Sequence, residues 1–218
     1  MSVIPRKIIF FPPFFSALVS VFLMSCIGAS SQITINTNGS GTIIQEYRIS
    51  LELQDMGKTE ENEGMLPIPT GMEDLERTVE RIPGLSLVSY STRQDEKDLF
   101  LKAELAFETP EALSALMESG DQKLSINFIN KKIHMHFSPG EVGDTSFKSM
   151  IDTAFKGYDF SISFSVPGTA KAAWYDENGK SIQQYPGNCT IRDRTVSYSV
   201  AMAELMYLEN SLDLEISW

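Results

Sequence analysis

Cysteine, histidine and tryptophan are each present only twice in 218 residues. Cys26 and Cys189 are too few for a disulfide framework, and no Cys-x-x-Cys pair exists for a zinc or redox site. The sequence has no Gly-x-Ser-x-Gly elbow, no phosphate-binding loop and no dinucleotide glycine signature, so the common hydrolase and nucleotide-site signatures are missing. Cations are also scarce. Lys and Arg number 18 against 29 Asp and Glu, for a net charge of −11. Nucleic-acid binding and electrostatic adhesion to anionic lipid normally need the opposite balance, so no nucleic-acid partner is expected.

The apolar residues that are present concentrate first at the N-terminus. Arg6 and Lys7 precede a short greasy run, residues 14–24, that closes on Leu23-Met24-Ser25-Cys26. A positive segment, an apolar core of about 7–15 residues and a small residue before the cut make an export signal. Here the residue after the cut would be a cysteine, an arrangement that resembles the lipobox of bacterial lipoproteins, in which the cysteine thiol receives diacylglycerol. A transmembrane anchor is the rival reading, but residues 8–24 are barely long enough to span and contain Pro12-Pro13. An ordinary cleaved signal is the other.

On the lipobox reading, residues 1–25 form the signal peptide and residues 26–31 an acylated cysteine with a short tether. Residues 32–218 form one domain. Arg6 and Lys7 leave with the signal, taking the net charge to −13. Anchoring then comes from acyl chains, which contribute about 0.8 kcal/mol per buried CH₂. Ile27, not Asp, follows the cysteine, which by analogy with proteobacterial sorting favours the outer membrane. The protein would face the periplasm or the exterior, with membrane lipid and envelope proteins as expected partners. Cys189 would be a small buried hydrophobe rather than a reactive thiol.

Period-two alternation dominates the remaining sequence. Residues 32–37 and 42–53 alternate about Asn38-Gly39-Ser40-Gly41, a strong hairpin signal. Residues 54–71, rich in Glu, Gly and Pro, break the pattern and read as a loop. Met72, Leu75, Val79 and Ile82 recur at helical spacing up to Pro83-Gly84. Strands follow over residues 85–92 and 98–107. Thr109-Pro110-Glu111 opens a helix as cap, first turn and acidic residue should, with Leu113, Leu116 and Met117 inward.

Residues 125–130 and 133–137 form another hairpin, and residues 146–156 a third helix. Phe160, Ile162, Phe164 and Val166 alternate with Ser161, Ser163 and Ser165 in the clearest strand. Asp176-Glu177-Asn178-Gly179-Lys180 reads as a tight turn. Residues 195–200 make a strand, 201–208 a helical turn, and Leu212, Leu214, Ile216 and Trp218 one face of a last strand. The expected class is α+β: mostly antiparallel β-sheet with about three helices packed on it.

Cys26, the Asn38-Gly39-Ser40 turn, Thr109-Pro110-Glu111-Ala112-Leu113 after Phe107, Val166-Pro167-Gly168, Asn178-Gly179, Thr195-Val196 and Ile216-Ser217-Trp218 together carry a resemblance. The chain resembles the LppM-like bacterial lipoproteins (DUF3153), a family of unknown function. The resemblance implies a lipid-anchored cell-envelope domain and brings no catalytic residues with it.

Two constellations bear on chemistry. His134 and His136 are two apart on a predicted strand, so both imidazoles point the same way and could meet one metal, with Glu141 or Asp144 as further ligands. Phe147, Met150, Phe155, Phe160, Phe164 and Trp174 could line an apolar cavity between sheet and helices. The reading is therefore a non-enzymatic binding protein of the envelope that needs no cofactor. A carrier of lipid or another apolar ligand and a membrane-proximal hydrolase are the alternatives.

Overall fold

The computed structural model describes residues 27–51, 71–118, 124–139 and 148–218, with backbone alone for 124–129, 150, 151 and 154. Cys26, the loop expected at 54–71 (but for Gly71), Glu141, Asp144 and Phe147 lie outside the described residues.

The first two strands, β1 (Ile27–Ile35) and β2 (Gly41–Ser50), form the expected antiparallel hairpin. Its turn is set by side-chain chemistry: Asn38 Oδ1 accepts from both the backbone N–H and the hydroxyl of Ser40, and Gly39 takes φ +87°. Gly41 lies so close to the Thr34 carbonyl and the Phe107 ring that a Cβ there would collide with both. β1 begins earlier than its polarity suggests. The expected tether, Gly28-Ala29-Ser30-Ser31, is part of the strand, paired with β2 throughout and with a second neighbour from Ala29 onward. Residues of weak β-propensity form a strand here because tertiary pairing overrides intrinsic preference.

After helix α1 (Met72–Arg81) come β3 (Leu85–Gln94) and β4 (Asp98–Phe107), then α2 (Pro110–Met117). α1 buries Leu75 but leaves Met72 51% exposed, so the expected stripe starts one turn later. α2 starts as its sequence requires: Thr109 Oγ1 accepts from Ala112 N at 3.3 Å, with Pro110 in the first turn. Leu113, Leu116 and Met117 are buried. Next come β5 (Leu124–Ile129), β6 (Lys132–Phe137), α3 (Lys148–Ala154) and β7 (Asp159–Ser165). The remainder is β8 (Lys171–Asp176), β9 (Ser181–Ile182), β10 (Asn188–Arg192), β11 (Thr195–Ala201), the short α4 (Met202–Met206) and β12 (Leu212–Ser217).

The strands sort into two sheets, ordered β10-β11-β7-β1-β2-β4-β3 and β5-β6-β12-β8-β9. Antiparallel pairing prevails, as expected for the α+β class. The first sheet is nonetheless mixed, because β1 and β7 run parallel. The helices are few, and the interior is largely sheet against sheet. One core joins Ile33, Ile43, Leu105, Phe164 and Val196 of the first sheet to Ile133, Met135, Leu214 and Ile216 of the second. A smaller cluster of Ile27, Ile49, Leu99 and Leu101 closes the end where β1 starts.

Candidate functional site

Period-two alternation that fills the core from one side of each sheet leaves the other side polar, and the two outer faces differ in chemistry.

The outer face of the second sheet is charged. Register places His136 opposite Asp213 and His134 opposite Glu215. His136 Nδ1 lies 2.8 Å from Asp213 Oδ1, and His134 Nε2 lies 3.6 Å from Glu215 Oε2. Glu215 also accepts from Lys132 Nζ at 2.9 Å. The two imidazoles do share a face, as their spacing predicts. Each is matched to a carboxylate on β12 that sequence reasoning did not name. Among the described residues no group of three or more His, Cys, Asp or Glu gathers as a metal site would require. The ladder is a set of cross-strand polar contacts, with Lys132–Glu215 as its ion pair.

On the first sheet the outer face of β10, β11, β7 and β1 is nearly neutral. Across β10, β11, β7 and β1 the paired rows read Asn188–Ser199–Ser161–Ser30, Thr190–Ser197–Ser163–Gln32 and Arg192–Thr195–Ser165–Thr34. These twelve positions carry nine hydroxyls and no carboxylate, in a chain with 29 acidic residues. Strands lie about 4.8 Å apart, so hydroxyls recur at that interval along each row. Ser165 and Thr195 hydrogen-bond to each other at 3.1 Å, and all three serines of β7 are half-buried. Hollows of about 650 Å³ and 520 Å³ lie at the two ends of this face, the first beside Thr34, Ser165 and Arg194, the second beside Ser30, Ser161 and Arg93.

The second hollow adjoins a buried charge network. Asp98 is 2% exposed and accepts from Arg48 Nη2 at 2.6 Å and Nε at 2.9 Å, and from the Tyr158 hydroxyl at 2.8 Å. Arg48 Nη1 donates to the Gly157 carbonyl at 2.8 Å, and its guanidinium stacks 4.7 Å from the Tyr158 ring centre. The Asp98 hydrogen bonds raise the Arg48 pKa further. The network ties β2, β4 and the turn before β7 into one joint. Burial alone pushes the nearby Tyr47 hydroxyl up to about 12.

The apolar candidates divide. Phe164 and Trp174 are core residues, and Phe160 packs against them. Trp174 stacks on Tyr185 at 4.4 Å and meets Tyr198 at 4.8 Å, while Phe137 contacts Phe160, Trp174 and Tyr198. These rings join the two sheets by packing on one another, as interior side chains do. Phe155 is buried. Met150 lies on α3, but its side chain is not among those described.

The Trp174 Nε1 is buried without a partner of hydrogen-bonding geometry among the described residues. It is near enough to Cys189 and Tyr185 to oppose weakly the rise that burial gives both pKa values. Cys189 is half-buried with its thiol pushed up, in keeping with an inert residue.

No protein-family model matches this chain, and no curated protein does. Among the described residues no helix is long and apolar enough to cross a membrane.

Proposed function

We propose that the chain is a lipid-anchored protein of the bacterial cell envelope, fastened through a diacylglyceryl thioether at Cys26 and acting by binding rather than catalysis. The observation that carries the reading is the leader itself: two cations, an apolar run and a small residue, ending on cysteine. The likeness to LppM-like lipoproteins is part of the same proposal, as is placement in the outer membrane. The binding surface is the outer face of the first sheet, whose hydroxyls and amides suit an uncharged partner rich in hydrogen-bonding groups.

Two measurements test this. Radiolabelled palmitate joins the wild type and not Cys26→Ser, and globomycin leaves a slower-migrating precursor. Failure of both removes the anchor. A photo-cross-linking residue at position 163 in host membranes captures an envelope component, whereas one at position 134 on the charged face does not. Adducts confined to position 134 would reject the hydroxyl face. An apolar carrier would instead show co-purified lipid by native mass spectrometry.

A further inference from the structure

The start of β1 decides which end of the fold meets the anchor. Cys26 is one peptide bond from Ile27, which is already paired with Ile49 in the sheet. Successive Cα atoms are 3.8 Å apart, so a glyceride on that thiol holds the head of β1 within about 10 Å of its attachment point. The Asn38 turn closes the other end of a nine-residue strand, roughly 26 Å further out at about 3.3 Å per residue.

The lining of one hollow at the anchored end departs from the charge of the chain as a whole. The 520 Å³ hollow beside Gly28 is lined by Arg48, Arg93 and Lys102 against only Glu46 and Asp159, where the full chain has 29 carboxylates to 18 cations. Two of the three cations are committed. Arg48 is held by Asp98 and the Gly157 carbonyl, and Lys102 Nζ is 2.7 Å from Glu46 Oε1. Arg93 has no carboxylate within ion-pair distance among the described residues. It lies instead with its guanidinium carbon 4.0 Å from the Phe100 ring centre. Stacking fixes one face of a guanidinium and leaves its N–H edge free. That edge matches two phosphate oxygens in a planar fork.

Resting on the lipid-anchor reading, we propose that this hollow faces the bilayer and that Arg93, steadied by Phe100, takes the phosphate of a phospholipid headgroup. The contact orients the molecule. The β3–β4 turn (Asp95, Glu96, Lys97) lies at the membrane, and the Asn38 turn and the 650 Å³ hollow point outward. A free phosphate ion shares the ligand chemistry, so the test separates the two sources.

Lipidated full-length protein is reconstituted into phosphatidylcholine vesicles with and without phosphatidylglycerol. A nitroxide is placed at Glu96→Cys or Asn38→Cys in a Cys189→Ser background, and relaxation by a nickel-chelating headgroup lipid is recorded. The label at 96 is expected to relax several-fold faster than that at 38. Phosphatidylglycerol widens the ratio, Arg93→Ala removes that widening and Arg93→Lys restores part of it. Equal relaxation at the two sites, in protein that still floats with the vesicles, overturns the orientation and leaves the anchor standing. Protein that fails to float overturns both. A widening abolished by millimolar inorganic phosphate at constant ionic strength assigns the site to the free ion and overturns the headgroup contact.

Discussion

Removing the Asp98 carboxylate is the sharpest test of the joint between β2, β4 and the turn before β7. Asp98 is 2% exposed and receives three charge-assisted or hydroxyl hydrogen bonds, two from Arg48 and one from Tyr158. Breaking a buried ion pair by deleting one partner typically loses about 3–5 kcal/mol, chiefly because the other charge is stranded. Arg48 is not fully stranded, since its side chain is 39% exposed and can regain water. The expectation for Asp98→Ala is therefore lower, about 2–3 kcal/mol. For a domain of this size, about 2–4 °C of Tm per kcal/mol makes that a fall of roughly 4–12 °C. Asp98→Asn keeps an acceptor for Tyr158 and should lose about half as much.

Urea unfolding followed by circular dichroism gives the free energies, and a double-mutant cycle with Arg48→Ala isolates the pair. A coupling of about 1 kcal/mol or more is expected. An Asp98→Ala loss below about 0.5 kcal/mol, or additive single mutants, would refute the claim that this network holds the strands together.

Gly41→Ala should destabilise by about 2–3 kcal/mol through collision with the Thr34 carbonyl and the Phe107 ring, and an unchanged urea midpoint would contradict that packing. Thr109→Ala should lose about 1 kcal/mol by uncapping α2, with Thr109→Ser retaining most of it. Zinc or copper in stoichiometric excess should leave Tm unchanged in the wild type and in His134→Ala, whereas a rise confined to the wild type would establish the metal site. Tyr47 has a folded-state pKa of about 12 against an ordinary 10. Folding therefore favours its neutral form, and that stabilisation is complete below pH 10 and lost as pH rises through about 12. Tyr47→Phe should flatten the stability profile across this window and remove one late step from the tyrosinate absorbance titration; loss of a step near pH 10 instead would place Tyr47 in water.

Local chemistry made much of the fold readable. The hairpins about Asn38-Gly39 and Asn130-Lys131 follow from alternation with turn residues, and the structure gives Gly39, Asn130 and Lys131 the positive φ such turns need. The cap at Thr109 and the alternation of Leu212, Leu214 and Ile216 are equally local. Pairings between distant segments were not readable. The parallel β1–β7 contact joins Ala29 to Phe160, and the Gly-Ala-Ser-Ser start of β1 is a strand only because of such neighbours. β10 went unrecognised because an exposed edge strand, Asn188-Cys189-Thr190-Ile191-Arg192, has no buried face to impose alternation. The shared face of His134 and His136 was evident from their spacing. Their carboxylate partners 77 and 81 positions later depend on the register of β12. The Arg48–Asp98–Tyr158 network likewise assembles from three separate regions.

The central place of β1 has a consequence for the order of folding. β1 can pair with β2 as soon as both are made, but its other edge must wait for β7, about 130 positions later. Loop closure over such a span is entropically unfavourable until late contacts reward it, so topologies of this kind fold slowly. The middle strand of the seven-stranded sheet is therefore half satisfied until most of the polypeptide has been made, and only then does that sheet knit together.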